Sequence, residues 1–383
     1  MKRNIKILYV MALLQGMVFY GPIATLYRQI HGISVFQITL IEGISLALSL
    51  LLEIPWGILA DRIGYKKTII FCSWLYFISK LVFWRADDFF GFLLERVMLG
   101  IVLAGLSGVD TSILYLSAQG RDMQRIYGRY HALEMLGLLL ASAMFSVFIR
   151  DNYALAGLLT AVSYGLAALL SLGIEEVKRT EPEETKRQPF AEIFRDVFHD
   201  RTLLLFLIAV ALLSETHQTV TVFLNQLKYE GCGMEHSAIG IVYGVATLLG
   251  LLSACSAAVT KRLGEMPSML LFCLLPVGAC LLLGLTDRAF PSVLGVYTLR
   301  ISNTLFQPFQ ENIRNRQVST QDRATVLSIQ SMLISCIAIG TNLAFGALSD
   351  RSLPFAFFFG SGICGVSLVL FVLCYKNVAK THQ

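Results

Sequence analysis

A few ionisable side chains stand inside long apolar runs, where a charge is expensive. Glu215 lies near the centre of the run 203–227, with His217 and Gln218 beside it. An ionisable group at bilayer depth costs at least ~2.5–3.5 kcal/mol and usually faces a cavity. Because loss of hydration favours the uncharged acid, Glu215 is a candidate for exchanging protons at physiological pH. The alternative is a neutral acid that is hydrogen-bonded between helices.

A second polar feature is a stripe in the run 36–59, where Glu42 and Glu53 are eleven residues apart. At 100° per residue, that spacing returns to within about 20° of the same helix face. Ser45 and Ser49 fill the interval, so one edge of this helix is polar. Glu42 either belongs to a buried site or reaches the outer membrane interface, whereas Glu53 is expected to be buried.

Basic and amide side chains add donors to two further runs. In the run 89–117, Glu95 precedes Arg96. Adjacent helical residues point about 100° apart, so these two need not pair, and Arg96 could pair with Glu42 or another acid. In the run 290–313, four polar residues at i, i+3, i+7 and i+10 share one face and indicate substrate hydrogen bonding: Arg300, Asn303, Gln307 and Gln310.

The elements that must position these residues are membrane helices. Hydrophobic residues make up 55% of the 383 residues and charged residues 15%, against roughly 25% charged residues in soluble domains. Crossing a hydrocarbon core takes roughly 20 apolar residues. Continuous Leu-rich runs exclude a β-barrel, whose strands alternate over about ten residues. The twelve predicted runs are 6–27, 36–59, 68–86, 89–117, 130–149, 153–173, 203–227, 237–259, 267–286, 290–313, 324–348 and 354–375.

Lys and Arg residues are distributed unevenly between the loops. Of 31 such residues, 22 fall on the side that carries both termini and six on the other, while Lys80, Arg96 and Arg300 lie within helices. Positive charge concentrates on the cytoplasmic side, so both termini are predicted to be cytoplasmic in a multi-pass protein of the cell inner membrane. Lys80, near Trp84 and Arg85, is interpreted as reaching the outer membrane edge.

The chain divides into two similar halves. A polar segment, 175–201, is predicted to be a cytoplasmic linker between helical bundles at 1–174 and 202–383, with an amphipathic helix on the membrane from Phe190 to Phe198. Two six-helix repeats with a binding site at their interface are a transporter architecture. Three pairs of segments correspond, at offsets of 200, 204 and 198 residues: 61–64 with 261–264, Arg96 with Arg300, and 124–125 with 322–323.

One short turn carries a family resemblance. GILADRIGYKK, from Gly57 to Lys67, resembles the motif between helices two and three of major facilitator superfamily transporters. ERVMLGIVLAG, from Glu95 to Gly105, is similar to their fourth helix. The resemblance covers essentially the whole chain and implies an all-α fold of twelve membrane helices in two pseudo-symmetric bundles. The nearest group is the drug/proton antiporters, although helix five lacks their Gly-Pro signature and Tyr65 replaces a basic residue.

The resemblance implies that this turn latches the cytoplasmic side in the outward-open state. It also implies that helices one, four, seven and ten line the central cavity, which Glu215 would face. The residues themselves suggest three roles. Gly57 lets a neighbouring helix approach closely, Gly64 permits a tight turn, and Asp61 can cap the amino end of the next helix. For Lys66 and Lys67, the alternative is that they are solvated loop residues that follow the excess of positive charge on the cytoplasmic side. The gating residues implied are Gly57, Asp61, Arg62, Gly64 and Lys66, with Asp110 as their acidic partner.

The sequence therefore predicts a secondary active transporter that moves a small organic solute by alternating access. An acid-rich apolar cavity favours proton-coupled efflux of amphipathic cations and other drugs. Proton-coupled uptake of a small metabolite and a non-transporting membrane sensor are the alternatives. The predicted coupling and substrate residues are Glu215, Glu53, Glu42, Arg96, Arg300, Asn303, Gln307 and Gln310.

Other functional classes are disfavoured. No GxxxxGK[ST] motif is present for ATP, no nucleophile–base constellation stands out for an enzyme, and no basic arm for nucleic acid. The eight cysteines include no CxxC pair, so neither a metal nor another cofactor is expected. The expected partners are the substrate, lipid, and protons or Na⁺, and a monomer suffices for the cycle.

Overall fold

The computed structural model describes residues 2–107, 109–118, 123–177, 190–316 and 323–381, and within these ranges the regular structure is helical. The first half contains α1 (Lys2–Gly16), α2 (Ala24–Ile30), α3 (Val35–Ile63), α4 (Tyr65–Arg85), α5 (Phe89–Leu106), α6 (Val109–Ala118), α7 (Met123–Met144) and α8 (Tyr153–Ser171). The second half contains α9 (Phe190–His199), α10 (Arg201–Thr219), α11 (Asn225–Gly231), α12 (His236–Leu249), α13 (Ser256–Leu263), α14 (Glu265–Leu285), α15 (Ala289–Arg316), α16 (Arg323–Arg351) and α17 (Leu353–Thr381).

Several predicted runs are interrupted rather than continuous. The run 89–117 becomes α5 and α6, because the α-helix ends before Ser107. The other interruptions are segments of tighter 3₁₀ or wider π geometry, which are common where a helix carries strain or function. The 3₁₀ segments are Gly21–Ile23 and Gly250–Cys255, and the π segments are Phe145–Ile149 and Val220–Leu224.

Eleven helical spans in the described part of the chain are long and apolar enough to cross a membrane. The predicted run that is not among them, 290–313, forms α15. Arg300 and the amide side chains of this helix lower its hydropathy below that of its neighbours. The predicted all-α membrane fold is confirmed. One predicted membrane helix, α15, is too polar to be recognised as a membrane span from its composition.

The chain forms two compact units. The first unit comprises Met1–Pro182 with Glu235–Thr247, and the second comprises Glu183–Met234 with Leu248–Gln383. Aromatic rings fill the core of the second unit, where Phe206 and Phe306 both pack edge-to-face on Phe371 at 5.6 and 6.1 Å between ring centres. The predicted amphipathic helix forms as α9, whose Val197 is buried in this core.

The helix hairpins confirm that the halves are repeats. Gly64 and Gly264 each end one helix and begin the next, with φ of +93° and +89°, a conformation that glycine tolerates without strain. The helices that follow, α4 and α14, each have 21 residues and begin 200 residues apart. In this register Arg300 corresponds to Gly100, so its predicted equivalence with Arg96 is wrong by one helical turn.

Within the first unit, α1 and α7 pack backbone against backbone. A Cβ atom at Gly16 would collide with the carbonyl of Glu134, and one at Gly137 with the carbonyl of Leu13. Small residues allow membrane helices this approach and so increase their van der Waals contact. The two glycines therefore fix the distance between these helices.

This contact predicts a position-specific effect of one methyl group. Gly137→Ala should destabilise the protein by about 1–3 kcal/mol, because the backbone of α1 must move away. Gly128→Ala is the matched control on the same helix, since Gly128 is exposed and a Cβ there meets nothing within 4 Å. Thermal unfolding of the purified variants measures both effects. Equal unfolding midpoints for the two variants would contradict the prediction.

Candidate functional site

Five charged side chains of the first unit lie close together around one carboxylate. Glu95 in α5 is 1% exposed, and its Oε1 lies 3.3 Å from Lys80 Nζ. Its Oε2 lies 3.5 Å from Arg96 Nε and 3.8 Å from Arg28 Nη2. Arg96 Nη1 in turn lies 3.2 Å from Glu42 Oε2. We name these five residues the ion cluster: Arg28, Glu42, Lys80, Glu95 and Arg96.

The hairpin between α4 and α5 explains the central pair. Asp88 caps α5 by accepting a 2.8 Å hydrogen bond from the Gly91 N–H, so α5 begins at once after a three-residue turn. Lys80 and Glu95 lie at similar distances on either side of this turn and therefore meet. Lys80 is 4% exposed, so its interpretation as a residue at the membrane edge is wrong: a buried counter-charge holds it inside.

Aromatic rings enclose the cations of the ion cluster. Ring faces attract cations, and the attraction strengthens where water is excluded. Three tyrosines surround Lys80 Nζ, with ring centres at 5.0 Å (Tyr76), 5.4 Å (Tyr164) and 5.8 Å (Tyr20). Two phenylalanines flank the Arg28 guanidinium, at 5.2 Å (Phe83) and 5.8 Å (Phe92).

The polar stripe of α3 meets α5 at one end only. The predicted pairing of Arg96 with Glu42 is confirmed, and Ser45 Oγ donates a 2.9 Å hydrogen bond to the Arg96 carbonyl. Glu53 is exposed, contrary to the expectation that it is buried. Close approach of the helices occurs where Gly100 faces the backbone of Ser45, and Glu53 lies about 12 Å farther along α3, at 1.5 Å per residue.

Sequence reasoning missed Arg28 as a member of the ion cluster. The predicted run 6–27 ended one residue before it, which assigned Arg28 to a loop. In the structure Arg28 lies in α2 and is 2% exposed. A buried acid such as Glu95 requires cations nearby, and this requirement was the available signal for both Arg28 and Lys80.

In the second unit, the predicted proton site is buried. Glu215 in α10 is 6% exposed, and its Oε1 accepts a 2.7 Å hydrogen bond from Thr219 Oγ1. Thr219 Oγ1 also lies 3.5 Å from Asn342 Oδ1 in α16. His217 is fully buried, and neither of its ring nitrogens has a hydrogen-bond partner in the described part of the chain.

The polar face of α15 forms a row of amides. Gln310 Nε2 donates to Gln307 Oε1 at 3.0 Å, and Gln307 Nε2 donates to Asn303 Oδ1 at 3.3 Å. Gln310 is 4% exposed, whereas Arg300 is half-buried. The spacing predicted that Arg300 and the three amides share a face, and the row confirms this geometry for the three amides. Their part in substrate binding stays a prediction.

The predicted gating turn has the expected backbone. Gly64 occupies the junction of α3 and α4 at positive φ, and the Lys66 N–H donates to Glu176 Oε1 at 3.4 Å. Arg62 is exposed. Gly64 itself takes the N-cap position of α4, and a contact of the Asp61 side chain with this helix end stays a prediction. The surroundings of Gly57 and the side chain of Asp61 lie outside the described part of the structure.

The acidic partner proposed for this turn lies on α6. Asp110 Oδ2 accepts a 3.5 Å hydrogen bond from Tyr130 Oη in α7. No group of three or more His, Cys, Asp or Glu residues that could hold a metal ion occurs among the described residues. All eight cysteines are free thiols, and five of them are buried.

Comparison with known proteins decides the family. The sequence profile described as Major Facilitator Superfamily matches residues 7–332. The chain belongs to this superfamily. Membership confirms the resemblance carried by the turn at Gly57 to Lys67, and the superfamily is one of membrane transporters rather than enzymes.

Two curated relatives match the chain locally. An uncharacterized transporter of Buchnera aphidicola is 30% identical over 138 residues, which are 34% of this chain and 33% of that protein. An uncharacterized MFS-type transporter of Methanocaldococcus jannaschii is 29% identical over 122 residues, which are 32% of each chain. The matched segments thus span about a third of these relatives.

Solved transporters share the fold. The nucleoside transporter NupG has a TM-score of 0.80 at 15% identity, over 98% of this chain and all of that one. A POT family transporter in complex with 5-aminolevulinic acid has a TM-score of 0.74 at 14% identity, over 98% of this chain and 96% of that one. A D-xylose-proton symporter has a TM-score of 0.72 at 12% identity, over 97% and 96%.

The ion cluster predicts a large effect from removing its central charge. Glu95→Gln should destabilise the protein by about 3–5 kcal/mol, because it leaves buried cations without compensation. Lys80→Met combined with Glu95→Gln should be less destabilising than Glu95→Gln alone, since one stranded cation is gone. Glu134→Gln makes the same change at an acid that is 56% exposed and serves as the control. Equal unfolding midpoints for Glu95→Gln and Glu134→Gln would refute this account.

Proposed function

We propose that this protein is a proton-coupled secondary transporter of a small organic solute, and that Glu215 carries the coupling proton. The observation behind the proposal is the burial of Glu215 beside a hydroxyl group. A carboxylate accepts a hydrogen bond from the Thr219 hydroxyl, and a carboxylic acid can donate one to it. The site therefore accommodates both protonation states, as a proton carrier requires.

The ion cluster bears on the class of solute. Efflux of amphipathic cations was predicted from intramembrane acids, which would attract positive charge. In the structure, the carboxylates of Glu42 and Glu95 already lie against Arg and Lys side chains. The amide row of α15 offers donors and acceptors rather than charge. Both observations favour proton-coupled transport of a polar metabolite over efflux of cations.

The remaining assignments follow from the sequence. The distribution of Lys and Arg supports an inner-membrane protein with both termini in the cytoplasm. The turn from Gly57 to Lys67 acts as the latch of the transport cycle, with Asp110 as the acidic partner. The polar face of α15 binds substrate. A monomer carries out the whole cycle, with protons rather than Na⁺ as the coupling ion.

Neutralising the coupling acid should separate driving force from translocation. In proteoliposomes, Glu215→Gln should reduce gradient-driven accumulation to the level without a gradient while leaving substrate exchange measurable. The solute comes from a thermal-stability screen of metabolites and drugs, since a ligand at 100 times its Kd stabilises by ~2.7 kcal/mol. Glu230→Gln, at an exposed acid of α11, is the control. Undiminished accumulation in Glu215→Gln would remove Glu215 from the mechanism.

The latch can be tested separately. Asp61→Asn should slow transport at least several-fold with little change in substrate affinity, because a latch affects the conformational equilibrium rather than the binding site. Initial rates over a range of substrate concentrations separate the two parameters. Asp87→Asn, at an exposed acid in the turn before α5, controls for loss of negative charge. Turnover of Asp61→Asn equal to that of the control would leave the turn as a solvated loop.

A further inference from the structure

The ion cluster holds one more cation than it has acids. Three of its members are basic and two acidic, and the most accessible side chains, Arg96 and Glu42, are only 20% and 18% exposed. A net charge in so dry a setting is expensive, since each buried ion loses several kcal/mol of hydration unless it is fully compensated. The cluster therefore has the charge to accept one further anion.

Two observations locate the place for this anion. Arg28 Nε and Glu95 Oε2 are both buried without a hydrogen-bond partner in the described part of the chain, so the hydrogen bonding of the cluster is incomplete. Arg96 contacts Glu95 through Nε and Glu42 through Nη1, so it joins both acids of the cluster. Arg96 is also the most exposed cation of the three. Among the three cations, Arg96 is therefore the one that we expect a ligand to contact.

We propose that the ion cluster binds the carboxylate of a monoanionic organic acid, with Arg96 as the residue that contacts it. The proposal rests on the function proposed above, because it names the chemical class of the transported metabolite. A guanidinium suits the task, since its planar N–H donors match carboxylate geometry and it stays charged when desolvated.

The charge excess favours a monocarboxylate over other anions. A phosphate monoester carries about −1.5 to −2 charges near neutral pH and would leave the site with a negative surplus. A neutral solute would leave the positive surplus uncompensated, and a cationic solute would increase it. One carboxylate brings the cluster to electrical neutrality.

The proposal is tested by direct binding to the purified full-length protein at pH 7 and constant ionic strength. Acetate is the minimal probe, and lactate and benzoate are larger ones, each compared with its primary amide. The acids should raise the unfolding midpoint in a saturable manner, and acetamide, lactamide and benzamide should not. Equal effects of acids and amides, or no effect of any acid, would overturn the proposal.

Substitutions test whether the ion cluster is responsible. Arg96→Gln should weaken binding of the acid roughly 10- to 100-fold, as expected for a lost charge-assisted hydrogen bond. Arg85→Gln, which removes an exposed arginine of the same unit, should leave the affinity unchanged. Unchanged affinity in Arg96→Gln would place the acid elsewhere and overturn the proposal.

A second variant keeps the proposal testable even if Arg96→Gln does not fold. Glu42→Gln raises the excess from one cation to two, so it should tighten binding of the acid several-fold, which a structural defect would not do. Weaker binding in this variant would contradict the charge argument. Transport assays keep this inference separate from the proposed function. Binding of an acid without gradient-driven movement would refute proton coupling alone, whereas gradient-driven movement of a neutral solute without acid binding would refute this inference alone.

Discussion

The buried carboxylate of Glu95 is the interaction around which the first unit is arranged. Lys80 of α4, Arg28 of α2 and Arg96 of its own helix all lie within 4 Å of its oxygens, and Arg96 extends the contact to Glu42 of α3. Each of these charges would be unfavourable alone in an apolar interior. Together they tie four helices to one point. The helices can change their arrangement only by keeping these pairs or by replacing them with other partners.

The second repeat keeps a buried cation, Lys228, at the position of Arg28 but lacks the central carboxylate, which indicates that the pairs around Glu95 are a specialised feature and not a requirement of the fold. With the offset of 200 residues between α4 and α14, the positions of Lys80, Glu95 and Arg96 correspond to Cys280, Gly295 and Val296. Cys280 is fully buried, and Gly295 packs on Leu283. The same helical scaffold is thus stable with an apolar contact here. A charged version that persists in one half is best explained by a task that needs charge.

The sequence predicts most of the fold because crossing a membrane leaves a strong signal in composition, and helix boundaries follow from glycine turns such as Gly64 and Gly264. Side-chain partners were predictable where one helix face fixed them, as for the amide row from Asn303 to Gln310, and where a buried cation needed an acid, as for Arg96 and Glu42. The pair of Lys80 and Glu95 was missed because Lys80 was interpreted by its local neighbours alone. A short hairpin brings together residues at similar distances from its turn, and applying that rule would have made Glu95 a candidate partner of Lys80.

The excess charge of the ion cluster also bears on how tightly a substrate can bind. An organic acid that neutralises the cluster must itself lose hydration, and buried ion pairs often do little better than break even against that penalty. The expected affinity is therefore modest even though the pairing is specific. Modest affinity suits a transporter, which must release on one side what it binds on the other. Rejection of uncharged analogues comes from the cost of leaving buried cations unpaired, so selectivity can be high while binding stays weak.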